Sequence, residues 1–191
     1  MSSDSRLQFD YSVPSTVIVT VPAEDNVVSC FHTVDHIRKH LQRSKRDLKL
    51  CIFRSLPGLP FISTHEATST NASPSKYPVE DIARWDRLLQ HFRRFAFVTV
   101  AVLDGAADDI ALSFALACDF VVGTPTASYA SLGAERLTNA SQGVAAPAAA
   151  KLPFWSLASL GMHVGIMNAQ RFIVNGGMSH EQLAASGILL Q

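Results

Sequence analysis

The sequence has 191 residues, which is enough for one domain of ordinary size. Apolar residues make up 48% of it and charged residues 17%, so the chain can bury a core and is not of the disordered type. The 16 basic and 16 acidic side chains give a formal net charge of zero. This balance argues against a nucleic-acid-binding surface and against a polybasic membrane anchor.

Three further features concern the location of the protein. The longest largely apolar run, Phe95–Leu103, falls far short of the roughly 20 residues that a membrane-spanning helix needs. The opening MSSDSRLQFD has no apolar segment behind a basic one, so no signal peptide is expected. Three cysteines are too few for a disulfide scaffold. We therefore expect a soluble, cytoplasmic protein that neither enters a membrane nor binds nucleic acid.

The first part of the chain alternates between strand and helix patterns. Residues 1–14 form a polar N-terminal segment, and the core domain is predicted over 15–191. β-Branched and apolar runs predict three strands, at Ser15–Val21, Leu48–Phe53 and Phe97–Leu103. Apolar residues at helical spacing predict one helix from Ser29 to about Ser44 and another that begins at Pro78 and buries Trp85 and Phe92. This order predicts an α/β fold with right-handed crossovers.

Shorter elements are predicted beyond the third strand. Asp104-Gly105 forms a turn, and Asp108 or Asp109 begins a short helix through Ala117. Two short strands are expected at 120–122 and 127–130, and a helix at 179–186 ends before Gly187. The long segment 55–77 between the second strand and second helix is of a length that is usually functional.

The stretch 98–119, VTVAVLDGAADDIALSFALACD, resembles the core signature of the crotonase (enoyl-CoA hydratase/isomerase) family. In that family a buried strand ends in a glycine turn, a glycine-rich segment opens a helix, and the helix ends in Cys-Asp or Ala-Asp. The passages at 22–29 and 170–187 are similar to two flanking family motifs. The resemblance covers about residues 16–190 and implies a spiral of ββα units without the family's usual C-terminal helices. It also implies a homotrimer or hexamer, and a hetero-oligomer with a full-length relative is the alternative for a chain that has lost catalytic groups.

The resemblance further implies a site for an acyl thioester of coenzyme A or of a carrier protein. In the family, two backbone N–H groups form an oxyanion hole around the thioester oxygen and stabilise an enolate. The matching donors are His65, in the loop that starts at Phe61, and Ile110. Isoleucine stands where the family has glycine, which is expected to restrict the approach of a ligand to the backbone. Coenzyme A enters as part of the substrate, and no prosthetic group or metal is expected.

The acid/base groups of the family are not conserved at their usual positions. Its first glutamate matches Ser113 and its second matches Gly133, while Glu135 lies two residues further on. Asp109 and Glu135 are the candidate catalytic carboxylates, and Asp108 and Phe61 are candidate substrate-binding residues. Each carboxylate also has an ordinary interpretation: Asp108 and Asp109 suit a helix start, and Glu135 suits a solvated loop.

Two functions stay open at this point. One is hydration, dehydration or double-bond isomerisation of an acyl thioester, including an accessory dehydratase role in secondary-metabolite biosynthesis. The other is a catalytically degenerate scaffold or regulatory subunit, with the alanine-rich segment 144–151 as partner surface. A separate pattern consists of His32, His36 and His40 at helical spacing, which is compatible with a metal site. These histidines lie opposite the apolar face of the helix, so we expect them to form a solvated surface.

Overall fold

The computed structural model describes residues 7–24, 27–56, 79–130 and 177–189. These residues form two sheets and four helices. The strands are β1 (Gln8–Asp10), β2 (Thr16–Val21), β3 (Leu50–Ser55), β4 (Val98–Leu103), β5 (Ala106–Ala107), β6 (Phe120–Gly123), β7 (Ser128–Ala130) and β8 (Gly177–Met178). The helices are α1 (Val27–Arg43), α2 (Val79–Phe92), α3 (Asp109–Ala115) and α4 (His180–Ala185).

The first sheet has five strands in the order β1-β2-β3-β4-β6. β2, β3, β4 and β6 are parallel, and β1 joins β2 as an antiparallel edge strand with Phe9 opposite Val19. Part of the segment predicted to precede the core, residues 1–14, is therefore a strand of this sheet. With a single apolar residue, Gln8–Asp10 carries almost no strand signal of its own and depends on pairing with β2.

The second sheet is small and has the order β5-β7-β8. β5 follows β4 directly, and β7 follows β6, so two successive units each pass from the first sheet to the second. Helix α3 connects these two units. This alternation of two strands and a helix confirms the predicted α/β spiral of ββα units.

Alternate residues of the parallel strands are buried on one face of the first sheet, where they join the apolar sides of the helices. Three phenylalanine rings form the centre of this layer: Phe53 lies 5.1 Å from Phe114 and 5.7 Å from Phe92, centroid to centroid, in edge-to-face geometry. Trp85 stacks on Phe31 of α1 at 5.0 Å. The predicted burial of Trp85 and Phe92 is confirmed, since each is 1% exposed.

The helix boundaries differ from the sequence prediction by one or two residues, most informatively in α1 and α3. α1 begins at Val27, so Ser29 lies inside the helix rather than capping it, and α3 ends at Ala115 rather than Ala117. Leu116 forms the C-cap of α3, and the amides of residues 117 and 118 donate to the carbonyls three residues earlier, a tightened final turn. Within the described ranges, no helix has the length and apolar character required to span a bilayer.

Candidate functional site

The candidate site lies at the carboxyl edge of the first sheet, where parallel strands end together. β3 and β4 are neighbours in register, with Arg54 opposite Val102. The segment that contains Phe61 and His65 follows β3, and the segment that contains Asp108 and Ile110 follows β4. Both candidate oxyanion segments therefore leave the sheet from adjacent strands at one edge, which is where open parallel sheets commonly bind ligands.

The turn after β4 depends on the backbone conformation of Gly105 and on hydrogen bonds to the residues that follow β6. Gly105 has φ 87°, a conformation that residues with a Cβ rarely adopt, and it allows the chain to leave the sheet for β5. The Asp104 carboxylate accepts hydrogen bonds from the hydroxyls of Thr124 and Thr126 at 2.9 and 3.0 Å. These bonds join the carboxyl ends of β4 and β6 and fix the start of the segment that leads to α3.

The first amides of α3 differ in their hydrogen bonds, since the first turn of a helix has no intrahelical acceptors for them. The Leu112 N–H donates to the Asp108 carbonyl at 2.9 Å, and the Ala111 N–H donates to the Asp108 carboxylate at 2.8 Å. Among the described residues, the Ile110 N–H has no hydrogen-bond partner. The Ile110 side chain is 4% exposed and packs in the core. The residue thus combines a backbone donor that has no partner in the described part of the chain with a side chain that packs in the core.

Asp108 has a defined structural task. It is 5% exposed and forms the N-cap of α3 through its carboxylate. Burial raises the pKa of the nearby Cys30 thiol, and the negative charge of Asp108 raises it further. Cys30 is therefore held as a thiol and is not an activated nucleophile. The substrate-binding role of Asp108 stays a prediction beside this capping role.

Ser113, which the sequence resemblance matches to a catalytic glutamate, is completely buried. Its hydroxyl accepts a 2.7 Å hydrogen bond from the Trp85 indole N–H and donates a 2.8 Å bond to the Ile110 carbonyl. These bonds join α2 to the first turn of α3. A carboxylate at this position would displace the indole and lie in a site closed to water, which costs several kcal/mol for an unpaired charge.

Ser55, at the end of β3, is a polar residue that the sequence reasoning did not select. It is 6% exposed, and its hydroxyl has no hydrogen-bond partner within the part of the chain that the structure describes. Cys51 and Phe53 precede it on the same buried face of the strand. A serine in register with two buried apolar residues at the carboxyl end of a strand was the signal that could have identified it.

Several predicted site residues lie outside the described residues. They are Phe61, His65 and Glu135, together with the proposed partner segment 144–151. Asp109 is the first residue of α3, but its side chain is also outside the described part. The histidines His32, His36 and His40 are exposed on α1, and no group of three metal-ligating side chains occurs in the described ranges.

Solved structures of similar fold place the chain among known architectures. An enoyl-CoA hydratase from Bacillus anthracis superposes with a TM-score of 0.72 at 14% identity, covering 96% of this chain and 68% of the other. An enoyl-CoA hydratase from Mycobacterium smegmatis gives 0.71 at 17% identity, with 96% and 68% covered. DspI from Pseudomonas aeruginosa gives 0.68 at 22% identity, with 98% and 74% covered.

These matches show that the chain has the crotonase fold, as the sequence resemblance implied, over about two-thirds of the length of the two hydratases. No protein-family model matches the sequence, and no curated protein matches it. At these identities the likeness is one of fold, so the chemistry has to be argued from the site itself.

Proposed function

We propose that the protein binds an acyl thioester of coenzyme A or of a carrier protein and stabilises its enolate in an oxyanion hole formed by the N–H groups of His65 and Ile110. The observation that carries this proposal is the Ile110 N–H, which has no hydrogen-bond partner among the described residues and lies at the start of the helix that follows β4 and β5. A buried amide without a partner is costly, and the developing negative charge of an enolate oxygen is a suitable acceptor. A crotonase fold around it supports the same assignment.

The proton transfer needs a carboxylate close to the carbon next to the thioester. Ser113 cannot supply it, because its hydroxyl is neutral and is used in two internal hydrogen bonds. We assign this role to Asp109 or Glu135, with Phe61 and Asp108 contacting the substrate. The reaction class is then hydration, dehydration or double-bond isomerisation, and an accessory dehydratase in secondary-metabolite biosynthesis would use this chemistry. Coenzyme A participates as part of the substrate.

The proposal extends to assembly and location. We expect a homotrimer, a hexamer or a hetero-oligomer with a full-length relative, acting in the cytoplasm. Analytical ultracentrifugation of the purified chain, alone and mixed with such a relative, measures the assembly.

The test of the binding step is calorimetric titration with acetoacetyl-CoA beside free coenzyme A. The enolised acetoacetyl group resembles the proposed intermediate, and free coenzyme A carries the same phosphates and adenosine. A difference in affinity between the two therefore isolates the thioester end of the molecule. We expect acetoacetyl-CoA to bind at least about tenfold more tightly, equivalent to about 1.4 kcal/mol. Equal affinities would refute the oxyanion hole.

Turnover is tested separately with crotonyl-CoA and two carboxamide variants, Asp109→Asn and Glu135→Gln. Loss of turnover in one of them, with acetoacetyl-CoA binding unchanged, assigns the proton-transfer group. Glu181→Gln is the matched control, since Glu181 is an exposed carboxylate on α4. If the variants and the control turn over alike, neither Asp109 nor Glu135 is the catalytic carboxylate.

A second candidate function is favoured by the environment of Ser113. The position at which the resemblance implies a catalytic glutamate is occupied by a hydroxyl that connects two helices. Replacement of a catalytic side chain by one that joins two helices is expected in a scaffold or regulatory subunit. This function predicts no turnover of any acyl thioester by the isolated chain, together with a stable complex with a full-length relative. Turnover that Asp109→Asn or Glu135→Gln abolishes would exclude it.

A further inference from the structure

A concave surface lies at the amino edge of the first sheet, at the end opposite the candidate site. It is formed where α1 ends and the chain turns back into β3. The Lys49 N–H donates to the Ser15 carbonyl there, so the turn sits beside the start of β2. The pocket has a volume of about 650 Å³ and is lined by Tyr11, His36, Lys39, His40, Arg43, Ser44, Lys45 and Arg46.

The charge of this pocket is positive. The Lys39 ammonium is paired with Asp35 at 2.6 Å. Arg43, Lys45 and Arg46 are exposed and have no carboxylate partner within the described ranges. Three cations without a described carboxylate partner therefore line one concavity of a chain whose formal net charge is zero. Because like charges repel, such a cluster is most stable when an anion lies among them.

Aromatic contacts hold part of this cluster in place. The Arg46 guanidinium lies 4.1 Å from the centre of the Tyr11 ring. The Tyr11 hydroxyl and His40 Nε2 are hydrogen-bonded at 2.9 Å, and the His40 imidazole stacks on Phe9 at 3.8 Å. This series of contacts, from Phe9 through His40 and Tyr11 to Arg46, reduces the conformational freedom of the Arg46 side chain before any ligand binds. Preorganisation of this kind lowers the entropic cost of binding.

The helix dipole explains only part of the arrangement. Basic side chains in the last turn of a helix complement its negative end, which accounts for His40 and Arg43. The helix dipole does not account for the concave shape of the surface or for the position of the Arg46 guanidinium over the Tyr11 ring. From His36 to Arg43 the lining residues extend about 10 Å along the helix axis, more than one phosphate group covers.

We propose that this pocket binds a polyphosphate anion, with Arg43 and Arg46 as the principal ligands and Lys45 as a supporting charge. Guanidinium groups suit phosphate oxygens because they donate two parallel hydrogen bonds, and the length of the pocket suits a chain of two or three phosphates. The site is separate from the thioester site, at the other edge of the sheet. It does not depend on the proposed enzymatic function.

The experiment is calorimetric titration of the full chain with inorganic tripolyphosphate at low ionic strength, with ADP in a second arm. We expect R43Q/R46Q to weaken tripolyphosphate binding at least about tenfold, since it removes both guanidinium groups that would donate charged hydrogen bonds to the phosphates. The matched control is R84Q/R87Q, which removes two exposed arginines from α2 and should change affinity less than about twofold. Lys45→Gln should give a smaller loss than the double variant. Thermal unfolding of each variant establishes that it is folded.

The two arms separate the sources of the phosphates. Similar affinities for tripolyphosphate and ADP would mean that the pocket recognises phosphate groups alone. Tighter binding of ADP would mean that a nucleoside contributes, with the Tyr11 side of the pocket as its contact. The proposal is overturned if neither probe binds at millimolar concentration, or if R84Q/R87Q weakens binding as much as R43Q/R46Q.

Discussion

The hydrogen bond between Trp85 and Ser113 provides a quantitative test of how α2 and α3 are joined. The two residues are 1% and 0% exposed, and the indole N–H donates to the hydroxyl at 2.7 Å. Ser113→Ala removes the acceptor while leaving a side chain of similar size. Because no water reaches the site, the indole N–H then stays buried without a partner.

The expected cost follows from that orphaned donor. A buried donor without an acceptor costs about 1–3 kcal/mol. In a chain of this size, each kcal/mol lowers the melting temperature by about 2–4 °C. At the middle of the range, a loss of about 2 kcal/mol lowers the melting temperature by about 4–8 °C.

The assay is a double-mutant cycle measured by urea unfolding, with Trp85→Phe as the second change. Trp85→Phe removes the indole donor, so Ser113→Ala in that background leaves no buried donor without a partner and removes only the bond to the Ile110 carbonyl. Its cost should fall below about 0.5 kcal/mol, so with a cost of about 2 kcal/mol in the unsubstituted background the coupling energy is about 1.5 kcal/mol or more. Equal costs of Ser113→Ala in the two backgrounds would show that the hydrogen bond does not hold the helices together.

Three further predictions concern other parts of the fold. Gly123→Ala should cost about 1 kcal/mol by urea unfolding, because the new Cβ would lie 2.5 Å from Leu189 Cδ1; truncating Leu189 to Ala in the same chain should remove that penalty. Asp119→Ala should cost about 1–3 kcal/mol, because its carboxylate accepts the Thr99 N–H and hydroxyl at 2.8 Å, whereas Asp119→Asn keeps an acceptor and should cost less. Partial burial lowers the pKa of His40, so an NMR titration should give a pKa below 6.5. Because the imidazole is harder to protonate in the folded state, its contribution to the free energy of unfolding is present above pH 6.5. That contribution is lost as the pH falls through the folded-state pKa.

The main sheet could be predicted because its strands carry their own signal. Thr16–Val21 and Val98–Leu103 are almost continuously apolar or β-branched, as expected for parallel strands between covering layers. Their observed bounds differ from the predicted ones by one residue. The two-residue strands Ala106–Ala107 and Gly177–Met178 could not be predicted, since each exists through pairing with β7. A strand of that length has no periodicity to detect.

The site was less accessible to sequence reasoning. The match to a known motif directed attention to Ile110 and Ser113, but it could not show what their polar groups contact. The bond from Trp85 to Ser113 joins residues 28 positions apart on different helices. Such contacts depend on how the helices pack, and neither a tryptophan nor a serine in the sequence indicates which residue it will contact.

Oxyanion binding and proton transfer place different demands on the chain, and this difference orders the experiments. A backbone N–H such as that of Ile110 is present whatever the side chain, so donor capacity survives substitutions that abolish a carboxylate. Proton transfer needs a side chain that can act as an acid or base, and Ser113 has a hydroxyl in place of a carboxylate. Binding of acetoacetyl-CoA is therefore expected both in an active enzyme that uses Asp109 or Glu135 and in a scaffold that has lost turnover. Absence of binding refutes the oxyanion hole but leaves the scaffold function open, and in a chain that does bind only turnover distinguishes the enzyme from the scaffold.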